Sequence, residues 1–378
     1  MRQFLCKLIL LLGPCLGGLF LGTVFLIRPV SAGSPTHLVQ ETEKGPPPIG
    51  LQSIGQIDGD YTAVMVSGTL AYLGGNNGLT IFDISQPTQP VTLTHLAMAQ
   101  PIQDLKVVSN LLYLAQGVYD AFVYPVTGTV QIWDVQNPMS PVIRSSFPIS
   151  PEAPVAIDVV GAYAYVGASY AGPFFQQSTL YVLDVRNPSL PMLTQRLAQS
   201  DASIGDIAHT DDGLYLARYV AGGLDILTLT APATPSVKRH IVTEAQAVAA
   251  LNQQLYVASS NHFGEPTGGF QGLQIFQVAD PAAPVALGRF QIAQQPTSVA
   301  INQSHIYLAS SNLLQVIDVT SPTIPSLLGA TPLTGSPTTQ GLQVQGDLVF
   351  VITRPTGLRI LRTVELTGGK SFLPLITQ

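Results

Sequence analysis

The sequence predicts an all-β fold, a seven-bladed β-propeller. Three observations lead there: one motif recurs in register seven times, its period suits a four-stranded sheet, and an unpaired strand precedes the first copy.

The motif pairs an aromatic-aliphatic-small triplet with a β-rich run that ends in Asp and two spaced prolines. The runs Leu79 to Pro90, Val130 to Pro141, Leu180 to Pro191, Leu224 to Pro235, Leu273 to Pro284 and Leu314 to Pro325 superimpose without a gap, and a seventh, Leu358 to Arg362, lacks both prolines. Marked at the Asp position, the copies fall at Asp83, Asp134, Asp184, Thr228, Gln277, Asp318 and Arg362, a spacing of 41 to 51 residues. That range is typical of propeller blades. The runs are rich in Val, Ile, Leu and Tyr with period-two alternation and show no 3.6-residue apolar pattern, which excludes helical solenoids.

Each copy reads as four strands. In blade two these are Ile102 to Val108, Leu111 to Ala115, Thr129 to Val135 and Val142 to Ile149. Proline cannot donate to a sheet ladder, so the paired prolines suit the turn into the outer strand. The motif Asp is expected to bond nearby turn amides. Isolated Asp residues on separate blades cannot converge on one ion, so no metal is implied.

With its triplets and its Leu-x-Ile-x-Asp-[Val/Ile]-x-x-Pro runs, the chain from about residue 60 to 362 resembles the LVIVD-repeat family. The resemblance implies a bacterial secreted or surface β-propeller and carries no general activity or ligand. Thr228, Gln277 and Arg362 depart from the Asp, so an acidic role repeated in every blade is not implied.

Blade seven supplies three strands, Gln340 to Gln345, Leu348 to Thr353 and Leu358 to Thr363, whereas Leu51 to Ile57 precedes blade one without a partner. The N-terminal strand is therefore expected to complete the last blade and remove an open sheet edge. Composition agrees: 46% of residues are apolar and 10% charged, with 34 Gly and 30 Pro. A propeller grows by repetition about one axis, so residues 51–364 read as one domain.

Residues 1–32 read as a signal peptide or membrane anchor. Arg2 and Lys7 precede an apolar run at 8–27, and Val30-Ser31-Ala32 forms a small-residue cleavage site. The run is also long enough to tether the chain in a bilayer. Either outcome puts the protein outside the cytoplasm, secreted or at the cell surface. Residues 33–50 read as an extended linker and 365–378 as a C-terminal tail. Both cysteines, Cys6 and Cys15, precede the domain, which excludes disulfides and thiolate chemistry within it. Beyond residue 32, thirteen basic residues face 22 acidic ones, which argues against nucleic acid as a partner.

Two places can carry chemistry. Aligned innermost strands give two columns poor in large apolar side chains, Ala63, Asp104, Ala156, Asp206, Ala247, Ser298, Gly341 and Met65, Lys106, Asp158, Ala208, Ala249, Ala300, Gln343. Both are expected to line the axial channel, with the intervening apolar column packed between blades. Asp104, Lys106, Asp158, Asp206 and Gln343 are thus the channel candidates, for catalysis or for bonding channel water and one another. His209 falls in register with inter-blade valines and reads as a satisfied inter-blade histidine. Asp211-Asp212-Gly213 reads as a solvated hairpin turn.

The second place is the set of connections between second and third strands. Blades two, three and five insert Gly117 to Gly128, Ser169 to Ser178 and Ser260 to Gly272 on the face that also carries the links between blades. Tyr119, Phe122, Tyr124, Tyr170, Phe174, Phe175, His262, Phe263 and Phe270 lie in them. Aromatic side chains on long loops suit carbohydrate stacking or protein recognition, or fold back over the blade tops.

The sequence has no HExxH, GxSxG, Walker or EF-hand pattern, and no cofactor is implied. It reads as a non-catalytic extracytoplasmic module that binds an extracellular protein or carbohydrate through the long-loop face. Two alternatives stand beside it: a hydrolase or lyase using channel carboxylates, with or without a divalent cation, and a structural cell-envelope protein.

Overall fold

In the computed structural model the Leu-x-Ile segments become third strands, each the third from the axis in a four-stranded antiparallel sheet. The structure describes residues 47–118, 127–171, 176–200, 202–219, 222–260 and 270–366. Blade one comprises, from axis to rim, Tyr61–Ser67, Leu70–Gly75, Gly78–Asp83 and Val91–Leu96. The other inner strands are Ile102–Val108, Ala153–Val160, Ser203–His209, Ala245–Leu251, Pro296–Asn302 and Ser336–Gln345. Each packs beside the next, and the inner strand of blade seven packs against that of blade one. The result is a closed ring of seven blades.

The closing strand comes from the N-terminal side. Ile49–Ile57 pairs antiparallel with Gly357–Glu365, from Ile49 opposite Glu365 to Ile57 opposite Leu358. It starts two residues before the expected Leu51, inside the segment read as linker. The reason is burial: Ile49 sits in a cluster with Leu328, Leu333 and Leu342. The amide of Leu366 donates to the carbonyl of Pro48 at 2.9 Å, which ties the two ends of the described domain together.

Alternation in the strands follows from what lies on either side of a blade. Val64, Val66 and Phe82 of blade one pack with Phe350, Ile352 and Leu358 of blade seven. Ala63, Tyr72, Leu79 and Ile81 on the opposite face pack with Ile102, Leu105 and Leu114 of blade two. The small residue of the triplet has a steric cause at two blades. A Cβ on Gly74 would run into Ile102, and one on Gly167 into Ile204.

The motif Asp bonds turn amides as expected. Asp83 accepts from the Ser85 amide at 2.8 Å, Asp134 from Gln136 at 2.9 Å, Asp184 from Arg186 at 3.0 Å and Asp318 from Thr320 at 2.9 Å. In blade four the Thr228 hydroxyl takes the same part, accepting from the Thr230 amide at 3.3 Å. Blade five, with Gln277 at the position, bonds its turn three residues later, from the Ala282 amide to Asp280 at 2.9 Å, where blades two and three use Asn137 and Asn187.

Candidate functional site in the axial channel

All seven inner strands slip in register near their start, by a single residue in blades one to six and by the four residues 338–341 in blade seven. The slips in pairing with the second strand fall between Tyr61 and Ala63, Ile102 and Asp104, Pro154 and Ala156, Ile204 and Asp206, Ala245 and Ala247, Pro296 and Ser298, and Pro337 and Leu342. A bulge leaves one residue unpaired and re-aims it. Here Thr62, Gln103, Val155, Gly205 and Gln246 are set free of the ladder, and all five line a cavity of about 290 Å³ at the start of the inner strands. Strict alternation through this point fails, which corrects the first expected column. Ala63, Ala156, Ala247 and Ser298 are 0 to 1% exposed and buried between blades rather than lining the channel.

Further along the axis lies a second chamber of about 250 Å³, lined by all five channel candidates, Asp104, Lys106, Asp158, Asp206 and Gln343, together with His209. Asp158 is its hub. One carboxylate oxygen meets Lys106 Nζ at 2.8 Å and the other meets His209 Nδ1 at 2.5 Å. His209 is thus satisfied between blades, as expected, but its partner brings it into the channel cluster. Burial pushes the Asp158 carboxyl up, yet the Lys106 charge and the His209 bond outweigh it and hold the group below the usual range. Burial works against the Lys106 ammonium too, and the Asp158 charge more than reverses it, leaving Lys106 raised.

Asp104 and Asp206 make a different kind of bond. Each caps its own following amide and one from the next blade. Asp104 accepts from Leu105 and Ile157, both at 2.7 Å, and Asp206 accepts from Ile207 at 2.8 Å and Val248 at 2.9 Å. The two residues staple blade two to three and four to five. Burial raises Asp104 to about 8 against the Ile157 amide, with Asp206 repelling it across the channel. Burial also raises Asp206 to about 6, against the Val248 amide and Gln340. Every oxygen of the three carboxylates is engaged by the protein. Among the described residues, no three His, Cys, Asp or Glu side chains group closely enough to hold a metal ion.

Gln340 separates the two chambers. It lines both, and its Nε2 donates to Gly205 O at 3.0 Å and Asp206 Oδ1 at 3.2 Å, reaching from blade seven across the axis to blade four. Gln340 was expected only as the start of a strand. Two further polar clusters were not anticipated either, and both lie away from the axis. Glu152, 3% exposed, accepts from Thr179 at 2.6 Å and from the Tyr181 hydroxyl at 2.7 Å, with Arg196 stacked 4.8 Å over the Tyr181 ring. Asp225 bridges Arg218 at 3.1 Å and His240 at 2.6 Å.

Of the loop aromatics, Tyr119, Phe122, Tyr124, Phe174, Phe175, His262 and Phe263 lie outside the described residues, as does the apolar run at 8–27. The blade-three insertion differs from expectation: Tyr163–Ala171 and Gln176–Asp184 continue the ladder through it, with Tyr170 opposite Gln177. Tyr170 is half-buried, and Phe270 lies under Arg289 of its own blade, 5.5 Å from guanidinium to ring centre.

Comparison with solved structures returns propellers. A candidate 6-phosphogluconolactonase from Bacteroides uniformis aligns with TM-score 0.63 and 11% identity, over 78% of this chain and 92% of that one. The WD40 domain of Neurospora crassa Pan2 aligns with TM-score 0.61 and 11% identity, over 82% and 95%. The β-propeller domain of Cps50 (Swd1) from Myceliophteria thermophila aligns with TM-score 0.59 and 13% identity, over 83% and 99%. At such identities the likeness concerns the fold. The molecule is a β-propeller of four-stranded blades. LVIVD repeats are found in it at three places, where that family's profile matches residues 58–95, 155–198 and 295–331. No curated protein matches the sequence.

Proposed function

We propose that this LVIVD-repeat propeller is a non-catalytic binding module, displayed outside the cytoplasm, that recognises an extracellular protein or carbohydrate through the face carrying the long loops of blades two, three and five. The observation that carries this reading is the full engagement of the channel carboxylates. Asp104 and Asp206 each spend one oxygen on their own following amide and the other on an amide of the next blade, and Asp158 spends its own on Lys106, His209 and an amide. A general base or nucleophile needs an oxygen within reach of substrate. These acids instead hold inner strands together, and the variable part of the molecule is the loop face. Export rests on the Arg2, Lys7 and 8–27 pattern with its Val30-Ser31-Ala32 site.

A hydrolase or lyase reading draws on the raised Asp104 and Asp206, since carboxyls shifted toward neutrality are a mark of acid-base sites. One experiment separates the two. Wild type, Asp206→Asn and a variant with the blade-two insertion replaced by the Gly75-Asn76-Asn77-Gly78 turn are compared on arrays of extracellular proteins and polysaccharides and on chromogenic esters, lactones and glycosides. The binding reading expects array binding that survives Asp206→Asn and is lost on loop exchange. Turnover abolished by Asp206→Asn would overturn it.

A further inference from the structure

We infer that the chamber at the loop-face end of the channel is a seat for a neutral sugar, formed by the bulged residues of the inner strands. The inference rests on the loop-face reading and names its ligand class.

Three glutamines from three blades line this chamber: Gln103, Gln246 and Gln340. Each donates its amide nitrogen to the protein. Gln103 Nε2 bonds Gly117 O at 2.8 Å, Gln246 Nε2 bonds Ser260 Oγ at 2.8 Å, and Gln340 Nε2 bonds Gly205 O at 3.0 Å and Asp206 Oδ1 at 3.2 Å. Acceptors on the far side fix the orientation of Gln103 and Gln340, because a carbonyl or carboxylate oxygen can be met only by N–H. What remains on all three is a carbonyl oxygen with no donor from the described protein. The chamber therefore carries preset acceptors and has no ionisable carboxylate or ammonium in its own wall. A hydroxyl-rich ligand supplies the matching O–H donors.

The rest of the wall fits the same chemistry. Tyr219 supplies an aromatic side, and Gly205 makes room for it, since a Cβ there would lie 3.0 Å from the Tyr219 ring. Sugars combine an apolar ring face with a polar edge, and an aromatic beside hydrogen-bonding side chains meets both. The volume, about 290 Å³, is at the small end for ligand pockets and suits one ring rather than a chain of them. Sign of charge is set from below. With Asp104 raised to about 8 and so mostly protonated at neutral pH, Asp158 and Asp206 still outnumber Lys106 in the chamber beneath Gln340, so an acidic sugar is disfavoured. The three glutamines and Gly205 lie where the inner strands slip and give up ladder pairing, and Tyr219 reaches them from the end of the second strand of blade four, opposite Ser203.

The test is saturation-transfer NMR and calorimetry on the full chain with glucose, galactose, mannose and N-acetylglucosamine, and with glucuronate and galacturonate as acidic counterparts. The variants are Gln103→Ala, Gln246→Ala and Asp104→Asn, each accepted after its melting temperature is checked, with the blade-two loop exchange alongside. Binding of a neutral sugar over its uronate, weakened roughly tenfold by either glutamine variant and unmoved by Asp104→Asn, supports the seat. Sugar binding indifferent to both glutamines but lost on loop exchange overturns the seat and leaves the loop-face reading standing. Binding of no neutral sugar, or of uronates preferentially, also overturns it. If both glutamine variants fail to fold, Gln103→Glu and Gln246→Glu serve in their place, with the same expected loss.

Discussion

Gln340 of blade seven and Asp206 of blade four meet across the propeller axis, amide to carboxylate, at 3.2 Å. They are 134 positions apart in sequence, and their bond divides the channel into an uncharged upper chamber and a charged lower one. Because Gln340 stabilises the ionised form of Asp206, Gln340→Ala should raise the Asp206 pKa above its present value of about 6. A carbon-detected NMR titration of the Asp206 carboxyl measures this directly. An unchanged midpoint would show that the bond is not formed in solution.

Stability should depend on pH in an unusual direction at the neutral end. Asp104 at about 8 and Asp206 at about 6 stand well above the unfolded value of roughly 3.9, so between these limits the folded protein binds more protons than the unfolded chain. These two groups therefore cost stability progressively as pH rises from about 4 toward 8. Asp158, Asp83, Asp134 and Asp184 are held low, and their contribution disappears as pH falls below the ordinary carboxylate range. Melting temperature should peak in mild acid, around pH 5 by this reasoning. In Asp104→Asn the decline between mild acid and pH 8 should be shallower; parallel profiles in wild type and variant would refute the assignment.

Ring closure depends on Ile49–Ile57. Deleting these nine residues exposes the edge of Gly357–Glu365 and uncovers the cluster around Leu328 and Leu361. Calorimetry should find a melting temperature lower by roughly 10 °C or more, with a tendency to associate through the bared edge. A truncated protein that melts like the full chain would mean that blade seven is complete without the strand.

Packing between blades one and two leaves no room at Gly74. Gly74→Val should drive a branched side chain into Ile102 and Leu105, costing about 1–3 kcal/mol by chemical denaturation. Gly68→Ala serves as the control, since a Cβ there meets nothing within 4 Å, although its φ of 59° carries a small backbone cost.

How far the sequence was informative varies with the kind of contact. Repeat, strand order and ring closure are written locally, in Tyr72-Leu73-Gly74 and its counterparts and in the spare strand before blade one, so they could be read directly. The charged channel residues could be placed too, because Asp104, Lys106, Asp158 and Asp206 stand out in columns otherwise made mostly of small side chains. What escaped was what a bulge conceals. Alternation counted through Tyr61, Thr62 and Ala63 assigns Thr62 to the wrong side, and the same slip hid Gln103 and Gln246. Gln340 was missed for another reason: nothing in its neighbourhood in sequence indicates a partner on blade four. The Glu152 and Asp225 clusters are similarly made of residues from separate strands and leave no periodic trace.

The N-terminal strand that completes blade seven also sets the order in which the molecule can become itself. Ile57 is matched to Leu358, about 300 positions later, so during synthesis an early strand must wait for nearly the whole domain before its partner exists. Open repeat arrays can nucleate anywhere and grow from either side. Here the first and last elements must find each other, and a chain stopped before Gly357 carries both an unclaimed strand and an unclosed ring.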